Sequence, residues 1–446
     1  MFKNIPNEVS DIISKIEENG FEAYMVGGCV RDCVMGIEPH DYDICTSALP
    51  EQTMEIFKGD GMVTAGLKHG TVGVIRDKNV YEITTYRVDG EYSDGRHPDS
   101  VVFTDKLKED LLRRDFTINA MAYNPKTGLV DLYGGIADLN VGIIRCVGNP
   151  YERFGEDALR ILRAIRFAAR FDFEIEEETK AAMLKLYPTI EKVSIERINT
   201  EFTKTLECKN ASRYIDEFRD IIAYFIPEIK PMFEFEQHNK YHSYDVWQHT
   251  MKALSYADDN IIVRLALFFH DIAKPLTFTA DEEGNGHFYR HASEGAAITK
   301  KVLQNMRYSN NVIDNVSLLV SVHDFTPSDT TKSVKKLLHK VGEYNFGRLM
   351  EIKLADMLAH KDEKDPEKAD VVRRMKKIKT AVIKQNECFD IKGLEIGGKD
   401  ILDMGVKPGP RLGEILKILL DEVIEENIPN SREELIEYVK DNLLQG

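Results

Sequence analysis

The sequence predicts a multidomain protein of the α/β + α class: a head with a small mixed sheet, then an all-helical neck, a helical bundle and a helical tail. Three observations favour this fold. The length of 446 residues allows about three domains, the turn signals GGIADL and GNP close the first region near residue 150, and apolar residues beyond that point recur at helical spacing. The predicted parts are 1–150, 151–225, 226–365 and 366–446.

Composition narrows the class of protein. Hydrophobic residues make up 43% of the chain and charged residues 30%, which is typical of a soluble globular protein. No apolar run approaches the roughly 20 residues that a membrane-spanning helix needs. The first twenty residues lack a signal-peptide core and form an amphipathic helix, with one apolar face: Val9, Ile12, Ile13 and Ile16. We therefore expect a cytoplasmic protein without a membrane partner, whose six cysteines, lacking any C-x-x-C pair, are reduced and packed.

The most informative motif lies in MVGGCVRDCVMGIEPHDYDICTSA, residues 25–48. Gly27 and Gly28 follow an apolar run, and backbone without Cβ can bring its N–H groups close to a triphosphate at a helix start. One short helix later come Asp41 and Asp43, whose side chains share a face if the segment is a strand. Two such carboxylates can hold a pair of divalent cations for phosphoryl or nucleotidyl transfer. A lone D-x-D also occurs on acidic surfaces, so the interpretation depends on the neighbouring motifs.

Charged residues at two further points indicate a site for a charged, hydroxylated ligand. Arg31 and Asp32 lie one turn beyond the glycines. The segment LLRRDFTINAMAY, residues 111–123, sets polar side chains against an apolar helix face: Arg113, Arg114, Asp115 and Asn119. A buried helix has no need of two arginines and an aspartate at its entrance, whereas a binding site for such a ligand uses them.

The formal charge of −16 argues against nucleic-acid binding over the whole surface, because phosphate contacts need clustered Lys and Arg. The segment ERFGEDALRILRAIRFAARF, residues 152–171, nevertheless collects arginines at helical spacing: Arg160, Arg163, Arg166 and Arg170. A solvated charged face is the alternative interpretation. Glu156 and Asp157 precede Arg160 by one turn, so a single helix would offer an acceptor and a donor array to the edge of a base.

Several motifs together resemble a known family. The sequence contains, in succession, GGCVRD, DYD, RRDFTINA, DLYGGIADL, GEDALRILRAIRFAARF and SIERINTEF. In this order and spacing they resemble the class II tRNA nucleotidyltransferases, which comprise CCA-adding enzymes and their poly(A) polymerase relatives, from about residue 20 to 206. The resemblance implies a nucleotidyltransferase head of the polymerase-β type. It also implies tRNA, ATP and CTP as partners, with no obligatory protein partner.

The resemblance assigns the reacting centre to the first motifs. Asp41 and Asp43 would bind two Mg²⁺ ions. Glu82, in YEITTYR, would add a third carboxylate, although an alternating strand places a glutamate at such a position for ordinary reasons too. Three residues would contact the triphosphate: Gly27, Gly28 and Arg31.

The later motifs would select the nucleotide. Arg114 and Asp115 would read the ribose hydroxyls, so that ribonucleotides are chosen. Asp157 and Arg160 would pair with the Watson–Crick edge of CTP and ATP, and Glu156 would hold that arginine in place. The same motifs contain the remaining candidates for nucleotide binding: Arg113, Asn119, Arg163 and Arg166.

The subtype stays open between CCA addition, CC addition, A addition and poly(A) synthesis, which share these motifs. The segment AGLKHGTVGVI, residues 65–75, resembles the CCA-type strand rather than the basic stretch of bacterial poly(A) polymerases. The polar segment DGEYSDGRHPDS, residues 89–100, resembles the flexible loop of full CCA-adding enzymes, although it equally fits a plain connection. Both features favour CCA addition.

A second constellation follows in the helical part of the chain. Histidines and aspartates recur at long intervals in apolar helical segments: His249, His270, Asp271, His291, His323 and Asp356. Their order resembles the HD family of metal-dependent phosphohydrolases. Converging imidazoles and carboxylates suit one or two transition-metal ions that activate water for attack on a phosphate ester. The resemblance implies Mn²⁺, Ni²⁺ or Fe²⁺ at this site, and phosphodiesterase or phosphatase chemistry on RNA ends.

The last segment, residues 366–446, resembles the tail of bacterial CCA-adding enzymes that meets the outer part of tRNA. Lys399, Lys407 and Arg411 would touch phosphate there, unless they are ordinary solvated side chains. Two other functions stay open: a phosphohydrolase with a vestigial head, and a noncatalytic RNA clamp formed by the neck and tail. The intact D-x-D, ribose and base-reading motifs argue against loss of activity in the head.

Overall fold

The computed structural model describes residues 2, 5–89, 101–238, 244–360 and 366–444. The chain forms two compact units, Met1–Phe225 and Ile226–Gly446. Residues 90–100 of the predicted loop and the predicted boundary at residue 365 lie outside the described residues, and the division into four parts stays a prediction. Among the described residues, no helix has the length and apolar character needed to cross a membrane.

A mixed sheet forms the centre of the first unit. The strands of this unit are β1 (Ala23–Val26), β2 (Ile44–Thr46), β3 (Gly61–Val63), β4 (Thr71–Arg76), β5 (Asn79–Thr85), β6 (Arg87–Asp89), β7 (Val101–Phe103), β8 (Met121–Asn124), β9 (Gly128–Asp131), β10 (Ile143–Ile144) and β11 (Glu174–Ile175). Seven of them form one sheet in the order β3-β4-β5-β2-β1-β8-β9. Only β2 and β5 run parallel in it. The small mixed sheet predicted for the head is confirmed.

Helices pack around this sheet and continue into the neck. They are α1 (Asn7–Glu18), α2 (Gly28–Met35), α3 (Pro50–Ile56), α4 (Leu107–Leu112), α5 (Gly135–Val141), α6 (Pro150–Glu156), α7 (Leu159–Phe171), α8 (Glu177–Leu186), α9 (Ile195–Leu206), α10 (Ala211–Glu217) and α11 (Arg219–Phe225). In α1 the apolar face predicted from the sequence is buried: Val9, Ile12, Ile13 and Ile16. Helix α6 begins where the Asn149 side chain accepts a hydrogen bond from Tyr151 N, followed by a proline at the first helical position.

The described part of the second unit is helical apart from the hairpin of β12 (Thr279–Ala280) and β13 (Gly286–His287). Its helices are α12 (Val246–Leu254), α13 (Ile261–Phe269), α14 (Lys274–Thr277), α15 (His291–Asn305), α16 (Asn310–Val322), α17 (Thr331–Ala359), α18 (Pro366–Lys384), α19 (Gly398–Asp403), α20 (Pro410–Ile424) and α21 (Arg432–Tyr438). The helical remainder predicted from the sequence is confirmed.

Two apolar cores stabilise the second unit, one in the bundle and one in the tail. The cysteine of this unit, Cys388, is buried. Trp247 and Phe268 are fully buried in the core of the bundle and meet edge to face. A separate apolar cluster joins Ile401 and Leu419 in the tail. All six cysteines of the chain are free thiols, and Cys208 alone among them is partly exposed, as expected for reduced, packed cysteines.

Candidate functional sites

Two of the predicted catalytic carboxylates come from neighbouring strands. Asp43 directly precedes Ile44, the first residue of β2, which pairs in parallel with Ile83 of β5. Glu82 directly precedes that partner. The carbonyl of Asp43 accepts a hydrogen bond from Val26 N at 3.0 Å, which aligns it with the sheet. Because side chains alternate along parallel neighbours in register, Asp43 and Glu82 lie on the same side of the sheet.

The prediction that Asp41-Tyr42-Asp43 forms a strand is wrong, since β2 begins only at Ile44. The three carboxylates nevertheless act on one another. Desolvation raises the pKa of Asp43, the charge of Arg114 opposes the rise, and the charges of Glu82 and Asp41 add to it. Their oxygens do not all come within 4.8 Å of one another, unlike the donors of the histidine cluster below. The set is purely carboxylate, which fits Mg²⁺.

The glycine pair lies at the start of α2, against an arginine. Gly27 has φ 77°, a conformation that side chains disfavour, and a Cβ there would lie 2.9 Å from Arg114 Nη1. At Gly28 a Cβ would lie 3.6 Å from Arg31 Nη2. The absence of side chains thus lets a guanidinium approach the backbone N–H groups at the helix start, which is a favourable arrangement for an anion.

A buried aspartate that the sequence reasoning missed holds the two arginines of the RRD motif. Asp110 is fully buried and accepts hydrogen bonds from Arg113 Nε at 2.9 Å and Arg114 Nη2 at 3.2 Å. Burial opposes ionisation, but the two guanidinium groups keep the pKa of Asp110 below its usual value. Arg114 Nε is buried and has no hydrogen-bond partner among the described residues. The signal was local, because Arg113 and Arg114 follow Asp110 by three and four positions, the spacing of side chains that meet over one helical turn. The helix face expected for residues 111–123 is wrong, since α4 ends at Leu112 and β8 begins at Met121.

A chain of hydrogen bonds joins the other candidates in the head to the neck. Arg31 Nη1 donates to Asn119 Oδ1 at 2.5 Å, and Asn119 Nδ2 donates to Asp115 Oδ1 at 3.0 Å. Asp115 Oδ2 accepts from Nε and Nη2 of Arg163, at 2.8 and 2.5 Å. Burial opposes ionisation of Asp115, but Arg163 and the Asn119 amide hold its pKa well below the usual range.

Arg31 faces inward in this structure. Only 4% of its surface is exposed, its Nε donates to Asp32 Oδ1 at 2.8 Å, and its guanidinium lies over the rings of Phe167 and Phe171. Burial accordingly lowers the pKa of Arg31, against the charge of Asp32. Arg31 therefore forms the buried end of this hydrogen-bond chain, next to the glycine pair.

The segment predicted to read the base is two helices, not the single helix predicted. Helix α6 ends at Glu156, Asp157 is extended (φ −140°, ψ 102°), and α7 begins at Leu159. The carboxylate of Asp157 accepts a hydrogen bond from Leu159 N at 3.0 Å, so it caps the second helix and ends the first. Glu156 and Arg160 meet all the same: Arg160 Nη1 donates to Glu156 Oε2 at 2.7 Å.

Each of the four arginines of α7 has an acidic partner, and Arg170 alone among them is exposed, so most of this face is not the solvated one considered as the alternative. Arg160 and Arg166 are each only 8% exposed. Arg166 Nε donates to Glu201 of α9, a buried partner that the sequence reasoning missed. Arg197, in the SIERINTEF motif on α9, donates from Nη2 to Asp157 Oδ2 at 2.7 Å.

In the second unit, all six predicted metal ligands lie in one cluster. Asp271 Oδ1 is 3.7 Å from both His291 Nε2 and His323 Nε2. Its other oxygen is 3.2 Å from His270 Nε2 and 3.7 Å from His249 Nε2. Asp356 completes the set, with Oδ1 3.1 Å from His249 Nε2. Asp271 thus lies at the centre of the cluster.

Three of the histidines are oriented by the backbone. The Nδ1 atoms of His270, His291 and His323 each lie 2.7 to 2.8 Å from the carbonyl oxygen three residues earlier. A carbonyl only accepts, so each Nδ1 donates and each Nε2 lone pair points into the cluster. His291 Nε2 and His323 Nε2 are 3.3 Å apart. Two nitrogens bound to one metal at about 2.1 Å lie about 3.0–3.4 Å apart, so the pair fits a shared metal ion.

Further observations fit a metal at this cluster. Within the described ranges, His270 Nε2 is buried without a hydrogen-bond partner, whereas Asp271 Oδ2 is bound by the ammonium of Lys274. The mixed nitrogen and oxygen donors suit a transition metal. Sequence reasoning missed two neighbours: Lys274, with Nζ 2.8 Å from Asp271 Oδ2, and His360, with Nε2 3.7 Å from Asp356 Oδ1. The cluster borders a cavity of about 790 Å³.

Three family models match the chain. Residues 23–145 match the poly(A) polymerase head domain. Residues 172–233 match a probable RNA- and SrmB-binding site of polymerase A. Residues 287–439 match the putative domain 2 of tRNA nucleotidyltransferases, a range that includes part of the histidine cluster as well as the tail.

Similar proteins match over nearly the whole chain. A CCA-adding enzyme of Ligilactobacillus salivarius is 35% identical over 98% of this chain and 98% of its own length. One of Enterococcus faecalis is 34% identical over 99% of this chain and 98% of its own. Among solved structures, the Bacillus stearothermophilus CCA-adding enzyme in complex with CTP matches with a TM-score of 0.70 and 26% identity. That match covers 97% of this chain and 96% of the other.

Proposed function

This chain belongs to the family of CCA-adding enzymes, which are nucleotidyltransferases, and from that membership we propose that it adds C, C and A to the 3′ end of tRNA. It would take the nucleotides from CTP and ATP without a nucleic-acid template. The observation that supports this most directly is one site in the first unit. Asp43 lies within the field of Arg114, whose Nη1 would be 2.9 Å from a Cβ at Gly27, and Glu82 lies beside Asp43 on the neighbouring strand.

Asp41 and Asp43, with Glu82 beside them, are the residues that would hold Mg²⁺. When bound, two such ions stabilise charge on the attacking and leaving oxygens of the transfer. The chain's own groups bind and orient the triphosphate. Arg114 Nη1 would lie 2.9 Å from a Cβ at Gly27, so this guanidinium is close to the start of α2 and would contact phosphate oxygens together with the N–H groups there.

Asp157 and Arg160 of the neck would select the base. Cytosine and adenine share one feature on the Watson–Crick edge, an amino donor beside a ring-nitrogen acceptor, whereas uracil and guanine present the reverse. Asp157 is an acceptor for the amino group, and Arg160 is a donor for the ring nitrogen. The Glu156 contact fixes the direction of Arg160. This arrangement accepts C and A alike and rejects U and G.

Incubation with Mg²⁺ and tRNA lacking its 3′ end tests the proposal, with CTP, ATP or both supplied and the products sequenced. We expect two C residues with CTP alone and a stop after CCA with both. Long A tails would indicate a poly(A) polymerase, and CC or A alone a partial enzyme. Asp43→Ala should abolish addition, whereas Asp105→Ala, at an exposed acid of the same unit, should not. An RNA clamp would retain its role in the first variant.

We propose a second activity at the histidine cluster: a phosphohydrolase that uses Mn²⁺, Ni²⁺ or Fe²⁺ to open 2′,3′-cyclic or linear phosphoesters at RNA ends. The observation that favours it is the convergence of buried nitrogen and oxygen donors on Asp271, with His270 Nε2 among them lacking a hydrogen-bond partner. The residues that would hold the metal are His249, His270, Asp271, His291, His323 and Asp356. A bound metal of this kind activates water for attack on phosphorus.

Metal binding and activity can be measured separately at this cluster. Mn²⁺ or Ni²⁺ should raise the Tm of the wild type by binding the folded state, and His323→Ala should remove that rise. His339→Ala, at an exposed histidine of α17, is the matched control and should keep it. Phosphate release should depend on His270 and Asp271. If neither Mn²⁺ nor Ni²⁺ raises the Tm of the wild type, the metal site is refuted, whether or not the protein adds nucleotides to tRNA.

The tail, residues 366–446, is proposed to meet tRNA. Lys399 and Lys407 are both exposed, and Arg411 Nη1 lies 3.3 Å from Glu414 Oε2 on the solvent side of α20. A double Lys399→Ala, Lys407→Ala variant should weaken binding of tRNA and reduce its salt dependence, because each lost phosphate contact lowers the salt slope by about one.

A further inference from the structure

Both carboxylates assigned to nucleotide selection are bound by an arginine of the neck. Asp115, assigned to the sugar, is bound by Arg163 of α7. Asp157, assigned to the base, is bound by Arg197 of α9. We propose that Arg163 and Arg197 are positioning residues, the first for the choice of sugar and the second for the choice of base. This inference rests on the proposed function, and it implies that each choice can be relaxed without the other.

The contacts of Asp115 show what Arg163 does for the sugar. A carboxylate has about four acceptor positions, and four N–H groups occupy those of Asp115. Phe116 N at 2.8 Å and Asn119 Nδ2 at 3.0 Å bind Oδ1. Arg163 places both Nε and Nη2 on Oδ2. A ribose hydroxyl can enter only if one of these donors moves.

Arg163 is the donor that can move. The Phe116 N–H belongs to the backbone, and the Asn119 amide is buried and held by Arg31. The Arg163 side chain is 33% exposed and has a second acceptor close by, Glu201 Oε1 at 3.8 Å. A small shift of Arg163 that leaves one of its two N–H groups on Oδ2 opens a position for the 2′-hydroxyl and keeps the carboxylate in the same direction. A deoxyribose has no hydroxyl to fill it.

Asp157 is arranged differently. Its Oδ1 accepts from Leu159 N at 3.0 Å and lies 3.4 Å from Arg197 Nη1, while Oδ2 accepts from Arg197 Nη2 at 2.7 Å. Three of about four acceptor positions are therefore used. The position that is left on Oδ2 faces a direction fixed by the two-pronged guanidinium. Without Arg197 the carboxylate keeps only the cap to α7 and can turn, so the preference for an amino group over a carbonyl on the base weakens.

The two arginines sit on different helices and bind different carboxylates. The effects of the two arginines are not fully independent, because Arg163 also interacts electrostatically with Asp157. Loss of a hydrogen bond to a charged group changes a rate ratio by about tenfold or more, whereas a through-space effect at this exposure changes it by about twofold to threefold. Direct and indirect effects are therefore distinguishable.

The experiment compares kcat/KM for CTP, dCTP and UTP on tRNA lacking its 3′ end. Arg163→Ala should lower the preference for CTP over dCTP by about tenfold or more and change the preference for CTP over UTP by no more than about threefold. Arg197→Ala should do the reverse. The Arg→Lys variant at each position should restore part of the lost preference, because an ammonium keeps one contact of the two-pronged pair. Arg213→Ala, which breaks a neck ion pair with Asp172, should change neither ratio.

The outcome that overturns the inference is a fall in kcat/KM for all three nucleotides with both ratios unchanged, or both ratios changed together in each variant. If an alanine variant does not fold, the lysine variant at that position provides the same comparison. Asp115→Asn and Asp157→Asn identify a different failure. If these leave the sugar and base preferences intact, then the assignment of the two carboxylates is wrong, rather than the role of the arginines.

Discussion

Replacing Asp110 with asparagine should destabilise the first unit. Asp110 is fully buried in α4 and is the acid that holds both arginines of the RRD motif. Asparagine keeps the size of the side chain and one acceptor, so the change removes the charge without leaving a cavity. Arg113 and Arg114 then face a neutral partner in a poorly hydrated place.

The magnitude follows from the contacts. Removing one member of a buried ion pair costs about 3–5 kcal/mol, because the remaining charge is left without its partner. The two arginine side chains are 16% and 19% exposed, so water recovers part of that cost. We expect the free energy of unfolding of the first unit to fall by about 3 kcal/mol, at the low end of the range.

Urea denaturation at pH 7 measures this loss. The matched control is Glu55→Gln, which breaks a pair of the same i,i+3 spacing with Lys58, but with both side chains more than 70% exposed. That variant should lose no more than about 0.5 kcal/mol. If Asp110→Asn and Glu55→Gln fall within about 1 kcal/mol of each other, then the buried pair has little net effect and the reasoning is wrong.

The same prediction has a pH dependence. Burial opposes ionisation of Asp110, but its arginines lower the pKa in the folded state. The stability that this provides is complete above the unfolded pKa of about 3.9 and is lost as pH falls through the folded pKa. The difference between the wild type and Asp110→Asn should therefore be constant near neutral pH and shrink below about pH 4.

Three further outcomes follow from other parts of the first unit. Gly27→Ala should lose nucleotide addition as well as about 1 kcal/mol of stability, because its Cβ would lie 2.9 Å from the Arg114 guanidinium. Gly128→Ala also replaces a glycine with positive φ, but in open space, so it should lose stability alone. Nucleotide addition and urea denaturation measure the two effects separately. Glu201→Gln should cost about 2–3 kcal/mol, because Arg166 is left buried beside a neutral partner, and an unchanged urea midpoint would contradict this. Ellman's reagent should react with one thiol of the native protein quickly, and Cys208→Ser should remove that phase.

Local patterns predicted the parts of the fold that depend on local sequence. The apolar face of α1 repeats at helical spacing, so all four predicted residues are buried. The histidines and aspartates of the second unit lie in apolar helical segments, and the structure brings all six into one cluster. Periodicity shows which side of a helix faces the core, and these residues were on that side.

Two of the errors near the site come from competition between local and tertiary preferences. The DYD segment alternates like a strand, but the regular pairing of β2 with β1 and β5 begins only at Ile44, although the Asp43 carbonyl still accepts a hydrogen bond from Val26 N of β1. The segment before α7 continues the helical spacing of α6, but Asp157 caps the following helix with its own carboxylate. Aspartate favours the cap over the helix interior, because its short side chain competes for backbone N–H groups.

The partners of the arginines are what the sequence could not provide. Arg166 binds Glu201, which lies 35 positions later in the sequence, and Arg163 binds Asp115, which lies 48 positions earlier. No spacing rule connects such pairs, since they depend on how α7 packs against α9 and the head. The residue types at the site were therefore visible from sequence, whereas the contacts that orient them were visible only in the fold.

The hydrogen-bond chain that runs from Arg31 through Asn119 and Asp115 to Arg163 has a consequence for the synthesis of the protein. Arg31 and Asn119 are 88 positions apart, and Asp115 and Arg163 a further 48. A chain leaves the ribosome from its N-terminus and forms local structure before contacts of this range. A nascent chain of 150 residues contains every strand of the central sheet together with Asp41 and Asp43, yet it lacks the Arg163 guanidinium that binds Asp115. Under the proposed roles, selection of ribonucleotides begins only when the neck has emerged and folded back onto the head.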